Sequence, residues 1–282
     1  MVDKIANLIR RTSSTLPDDA VKALEAARRR EAAGSSAKMI LATILENAKV
    51  AAAAGTPLCQ DTGTLTFFVD ERLRRRATPE KFAKAVAFAT EKGWLRHNTI
   101  DSVSGASIDS NVCPGAPVVH YCAAGTGAPS IRLLMKGGGS ENMSTQFSLP
   151  DASIPAGRDL EGVRKAVLTA VARAQGYGCA PGILGVCIGG DRASGYEEAK
   201  LQLLRNLADT NSDTRLASLE RRILKEANSL GIGPMGLGGT TTLLAVKIGA
   251  RPRLPASFFV TVAYLCWAAR RGVMTFDNPR SP

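Results

Sequence analysis

The chain has 282 residues, 45% of them hydrophobic, with a formal net charge of +11. That length and apolar content support a buried core, while no run reaches the ~18 consecutive apolar residues of a membrane helix, and the start Met1-Val2-Asp3-Lys4-Ile5-Ala6-Asn7 lacks the apolar centre and cleavage site of a secretory signal. The positive charge lies in short clusters, Arg10-Arg11, Arg28-Arg29-Arg30, Arg72 to Arg76, Arg221-Arg222 and Arg270-Arg271, and aromatics are only 5% and do not alternate with them, which argues against a stacking platform for nucleic acid and for solvated helix faces, an acidic partner or an anionic substrate.

The first 55 or so residues read as helices. Pro17-Asp18-Asp19 is a helix start, and Ser35-Ser36 opens a run from Ala37 to Ala54 with Met39, Ile40, Ile44 and Leu45 on one stripe. Gly55 and Pro57 stop that helix. Leu65 to Val69 is a buried strand, and Thr78-Pro79-Glu80 caps a helix through about Lys92. From Trp94 to Pro155 the texture changes to glycine-rich turns between short strands, Val118 to Cys122 and Ile131 to Met135. A helix from Leu160 to Ala174, a strand from Ile183 to Ile188, helices over Ala193 to Ala208 and Leu216 to Leu230, and a β-like run from Thr240 to Ile248 follow. Ala256 to Arg271 is apolar. With no internal repeat or flexible linker, the expected fold is α+β: one unit over residues 1–282, a helical N-terminal layer (1–55) packed on a mixed sheet.

Cys59-Gln60-Asp61 places a thiol, an amide and a carboxylate between Pro57 and Gly63, groups that can bind a metal, a proton or a polar ligand, although a polar turn has the same composition. Cys179, in Gly176-Tyr177-Gly178-Cys179-Ala180-Pro181-Gly182, and Cys266 also stand beside glycine, proline or charged residues. Local CxxC spacing is missing, which excludes zinc ribbons and ferredoxins. A cluster needs the fold to gather the three thiolates, and three ligands on a four-iron cube leave one iron open as a Lewis acid. Cys113, Cys122 and Cys187 read as core residues. Six irregularly spaced cysteines suit thiols or metal ligands in the cytoplasm rather than disulfides.

Lys136-Gly137-Gly138-Gly139 follows a strand and can aim amide N–H groups at an anion, or can simply be a turn. Gly231-Ile232-Gly233-Pro234-Met235-Gly236 is a helix cap or a carboxylate cradle, and Arg96-His97-Asn98 with Asp101 is a polar ligand site or an exposed turn. The two histidines, His97 and His120, and the missing G-x-S-x-G elbow leave little room for a histidine-zinc hydrolase or a serine triad.

Taken in this order, Cys59-Gln60-Asp61-Thr62-Gly63, Arg96-His97-Asn98, Lys136 to Gly139, Cys179-Ala180-Pro181, Gly231 to Gly236 and Cys266 resemble the iron–sulfur hydro-lyases, specifically the α subunit or N-terminal domain of class I fumarate hydratases and L(+)-tartrate dehydratases, from about residue 10 to 275. The resemblance implies a [4Fe-4S] cluster in the glycine-rich loops on Cys59, Cys179 and Cys266. It also implies substrate contacts from Gln60, Asp61, Arg96, Gly138 and Gly139, with Asp61 the catalytic candidate. The implied substrate is a small 2-hydroxydicarboxylate, malate/fumarate ahead of tartrate. Proton transfer would come from a β subunit in an α2β2 assembly, with no membrane. Many relatives carry a histidine where this chain reads Ala245-Val246-Lys247-Ile248, so Lys247 is the candidate replacement donor. Two other classes stay open: a basic nucleic-acid-binding or scaffold protein without a cluster, and a cluster-bearing redox or sensor module.

Overall fold

A computed structural model describes residues 1–277. In chain order the elements are α1 (Val2–Ser14), α2 (Asp18–Arg30), α3 (Ser36–Ala54), β1 (Thr64–Asp70), α4 (Pro79–Glu91), β2 (Thr99–Ile100), β3 (Ser107–Ile108), β4 (Val118–Cys122), β5 (Ser130–Lys136), α5 (Gly138–Asn142), β6 (Thr145–Ser148), α6 (Leu160–Ala174), β7 (Gly182–Gly189), α7 (Arg192–Gln202), α8 (Thr214–Asn228), β8 (Leu243–Arg251), β9 (Phe259–Leu265) and β10 (Arg271–Thr275). The fold is α+β, as expected from the sequence, and its residues group into two units. Unit 1 comprises Met1–Pro17, Asn47–Gly138 and the chain from Arg270 onward; unit 2 comprises Asp18–Glu46 and Gly139–Ala269.

Unit 1 is organised by β1, buried from Leu65 to Val69 and therefore apolar on both faces. It pairs in parallel with β4 and antiparallel with β5, and β5 pairs with β10, giving the order β10-β5-β1-β4. The parallel β1–β4 pair needs a crossover, and α4 lies within it. Pro79 opens α4 where its missing N–H costs nothing. On α1, Ile5, Leu8 and Ile9 recur at helical spacing and join Phe82, Val86 and Ala89 of α4 in one core with Phe67 of β1, whose ring centroid lies 4.5 Å from that of Phe82. His120 stacks on Phe68 at 5.2 Å, a packing role.

Unit 2 repeats this logic around β7, parallel to β8 and antiparallel to β9, with β6 beyond β9. Leu184 and Val186 of β7, Val246 and Ile248 of β8, and Val260 and Val262 of β9 share a core with Val163, Val167 and Ile223 of α6 and α8. Asp159, Asp191 and Asp213 cap α6, α7 and α8 through their carboxylates. The basic run Arg28-Arg29-Arg30 occupies the last turn of α2 and Asp18-Asp19 its first, so part of the charge clustering is complementary to a helix dipole.

Differences from the sequence reading are local. The helix expected to Ala208 ends at Gln202, because the following polar side chains satisfy backbone N–H groups themselves: Asn206 Oδ1 accepts from Ala208 N and Asn211 Oδ1 from Asp213 N. Strand β8 begins at Leu243 rather than Thr240, and the apolar run from Ala256 resolves into β9, a turn at Cys266 to Arg270, and β10. Among the described residues no helix is long and apolar enough to cross a membrane.

Candidate active site and cysteine loops

In unit 1 the chain leaves α3 at Gly55, passes through Cys59-Gln60-Asp61-Thr62-Gly63 and enters β1. The Asp61 carboxylate is held from three sides: Oδ1 accepts from Gly63 N at 2.8 Å and from Asn98 Nδ2 at 3.4 Å, and Oδ2 accepts from Gly138 N at 2.7 Å. Gly138 opens α5, where its N–H has no partner within the helix, so Asp61 caps that end across 77 residues of sequence. A Cβ at Gly137 would lie 2.7 Å from Oδ2, so only glycine lets this backbone approach the carboxylate. Beneath the turn, Arg270 is 1% exposed and its Nη1 donates to the carbonyls of Asp61 (2.6 Å) and Thr62 (3.1 Å). The Asp61 N–H points at Cys59 Sγ, 3.4 Å away.

The Arg96-His97-Asn98 segment is fastened to this turn. Thr62 Oγ1 donates to Arg96 O and accepts from Arg96 N, both at 2.9 Å, and Asn98 Oδ1 accepts from Thr62 N at 3.2 Å. Asn111, 2% exposed, shapes the segment from below: its Oδ1 accepts from the N–H groups of Asn98 and Thr99, and its Nδ2 donates to Arg96 O. Asp61, Asn98, Asn111 and Gly138 line a cavity of about 360 Å³, and exposed Gln60 and Arg96 line a second concavity of about 690 Å³ with His97. Asp101 is not part of either; its carboxylate closes its own turn on Val103 and Ser104.

In unit 2 three motifs converge. Cys179 sits at φ 56°, a left-handed conformation uncommon for a residue with a side chain. Its carbonyl accepts from Trp267 N at 3.2 Å, joining the Cys179 and Cys266 loops, and Ala180 O accepts from Met235 N at 2.9 Å, joining the Gly231 to Gly236 turn to them. Glu31, 3% exposed, holds the residue that follows this turn region, accepting from Thr240 N and Oγ1.

A family model described as fumarate hydratase (fumerase) matches residues 2–275. The chain belongs to this family. It is 48% identical over 96% of its length to a Geobacillus stearothermophilus protein assigned by name as a class I fumarate hydratase, of which it spans 54%. It is 34% identical to a Methanocaldococcus jannaschii protein assigned by name as an L(+)-tartrate dehydratase subunit alpha, and 30% identical to the Escherichia coli K12 L(+)-tartrate dehydratase subunit alpha, covering 96% and 99% of this chain and 95% and 93% of those relatives.

The fumerase chain offers donors of the right kind for an iron–sulfur cluster. No disulfide joins any of the six cysteines; Cys59, Cys179 and Cys266 are half-buried. Cys187 is interior, and burial pushes its thiol up to about 12, which leaves it inert. Cys113 and Cys122, read as core residues, are half-buried instead, because β4 is an edge strand and Cys113 lies in a loop. Cys59 belongs to unit 1, Cys179 and Cys266 to unit 2, and among the described residues no three His, Cys, Asp or Glu side chains form a group that could hold a metal ion. The Tyr264 hydroxyl, buried two residues before Cys266, has no hydrogen-bond partner among the described residues; burial, then the charges of Cys266 and Cys179, hold it above its ordinary pKa.

Lys247 is 3% exposed and its Nζ donates to Asp209 Oδ1 (2.6 Å) and Asp209 O (2.9 Å). A substrate contact would require it to exchange Asp209 for the substrate carboxylate. Sequence reasoning missed Arg270 and Asn111. Arg270 is hidden in a basic pair that looks like surface charge, and Asn111 in a stretch that reads as loop; neither carries a local signal of burial.

Proposed function

We propose that this chain is the α subunit of a [4Fe-4S]-dependent hydro-lyase that reversibly removes water from a 2-hydroxydicarboxylate, with malate and fumarate as the pair and L(+)-tartrate dehydration as the alternative. The observation that carries it is the Asp61 carboxylate, fixed by Gly63, Gly138 and Asn98 at the wall of a cavity, with Cys59 two residues away. The higher identity to a protein named as a fumarate hydratase supports malate and fumarate.

In this reading Cys59, Cys179 and Cys266 are the thiolate ligands, and the two units act as one catalytic domain over residues 1–282. When bound, the cluster supplies a Lewis acid for the hydroxyl that is lost or gained. Asp61, both oxygens oriented before substrate arrives, accepts a hydrogen bond from that hydroxyl and holds it in line. Gln60 and Arg96 engage the substrate's polar ends, Arg96 neutralising a carboxylate, and a contact from the Gly138 amide would require it to exchange Asp61 for that carboxylate. The names of the relatives called α subunits imply a β partner, and in this reading that partner carries proton transfer in an α2β2 assembly. Six irregularly spaced cysteines suit a cytoplasmic setting.

The test is anaerobic purification with iron and acid-labile sulfide analysis of wild type and a Cys59→Ser, Cys179→Ser, Cys266→Ser triple variant. About four irons per chain, lost in the variant, are expected. Turnover of malate should appear only after a β subunit is added, and turnover by the isolated chain would overturn the division of labour.

A further inference from the structure

Tyr264 is 2% exposed, yet its hydroxyl makes no hydrogen bond among the described residues. A phenylalanine would fill the same space without the cost of an unsatisfied buried donor, so a tyrosine there needs an acceptor that the described residues do not supply. The surroundings narrow what that acceptor is. Room for the ring comes from the two glycines that flank the first cysteine loop: a Cβ at Gly178 would lie 2.5 Å from Cε1, and one at Gly182 2.4 Å from the hydroxyl oxygen. Gly178 adjoins Cys179, Cys266 follows Tyr264 by two residues, and the Trp267 N–H to Cys179 carbonyl bond holds both loops to one another. The tyrosine backbone is fixed by β9 pairing to Leu184 and by Ser144 Oγ, which accepts from Tyr264 N at 3.2 Å.

We infer that the Tyr264 hydroxyl is a hydrogen-bond donor to the sulfur shell that Cys179 and Cys266 hold, a positioning and tuning residue that does not touch substrate. The inference rests on the cluster reading above. A donor to sulfur stabilises the more negative, reduced cluster and so raises its reduction potential.

The experiment uses the full chain, reconstituted anaerobically, as wild type, as Tyr264→Phe, and with 3-fluorotyrosine at position 264, which keeps the shape but donates more strongly. Iron analysis comes first; a wild-type chain that binds no iron overturns the cluster reading and this inference together. With the cluster present, Tyr264→Phe is expected to shift the midpoint potential to more negative values and the fluorinated chain to shift it the other way. The cluster-free Tyr264→Phe chain should melt no lower than wild type, since it loses only an unsatisfied group. Unchanged potentials in both loaded variants, or a lowered melting temperature of the cluster-free Phe variant, would show a purely structural tyrosine and leave the cluster reading standing. If the Phe variant does not fold, the fluorinated chain alone decides, by a positive shift or none.

Discussion

The two sheets follow one plan with two different surfaces. In β10-β5-β1-β4 and in β6-β9-β7-β8 a central strand has a parallel edge partner on one side and an antiparallel partner on the other, which pairs antiparallel in turn with the second edge strand. Each central strand is entered from a cysteine turn, Cys59 before β1 and Cys179 before β7. Around Asp61 the turn is lined with amides and opens on a cavity; around Cys179 it is packed beneath an aromatic ring. The same topological position thus carries a cysteine in both units, beside a hydrogen-bonded carboxylate in one and beneath an aromatic ring in the other, which shows how far chemistry is set by the turn rather than by the sheet.

If that division holds, Asp61→Asn should damage only the first surface. Asparagine cannot accept from both Gly63 and Gly138, and kcat measured with the proposed β subunit should fall by about 10²-fold or more while iron content stays at the wild-type level. Iron loss in that variant would break the comparison. Arg270→Met removes a buried guanidinium and strands the carbonyls of Asp61 and Thr62; urea denaturation should show a loss of about 3 kcal/mol.

Lys247→Met probes the second unit. With Asp209 still partly solvated, the loss should be about 1–2 kcal/mol, and an unchanged KM would assign Lys247 to the fold rather than to substrate. Burial raises the Asp209 carboxyl, but Arg205 and Lys247 outweigh it and hold it below its ordinary value. A lowered folded-state pKa gives stability that is present above the unfolded value of about 3.9 and is lost as pH falls through the folded one. Acid unfolding monitored by circular dichroism below about pH 4 should therefore be less steep in Lys247→Met than in wild type. The smallest effect belongs to Glu31→Gln, which keeps one acceptor for Thr240 and should cost about 1 kcal/mol with no change in kcat.

Much of this was legible in the residues. Leu65 to Val69 and Ile183 to Ile188 announced both central strands because interior strands are apolar on both faces, and Pro79 marked a helix start by the backbone chemistry of a first turn. The Asp61, Gly138 and Asn98 group was foreseen as separate motifs. What joins them was not, because a bond from Gly138 to Asp61 across 77 residues leaves no periodic or compositional trace. Short edge strands such as β6 and β10 were missed for the same reason: their pairing is decided by a distant strand, not by their own sequence. The repeated strand plan is equally silent, since it is a repeat of directions and not of residues.

The bond from Arg270 to the Asp61 carbonyl spans 209 residues. At ribosomal rates of about 5–20 residues per second, the turn waits roughly 10–40 s between its own synthesis and the arrival of the arginine that clamps it. By then Cys179 and Cys266 have both been made, so the Asp61 turn is clamped only after every cysteine of the chain has been synthesised.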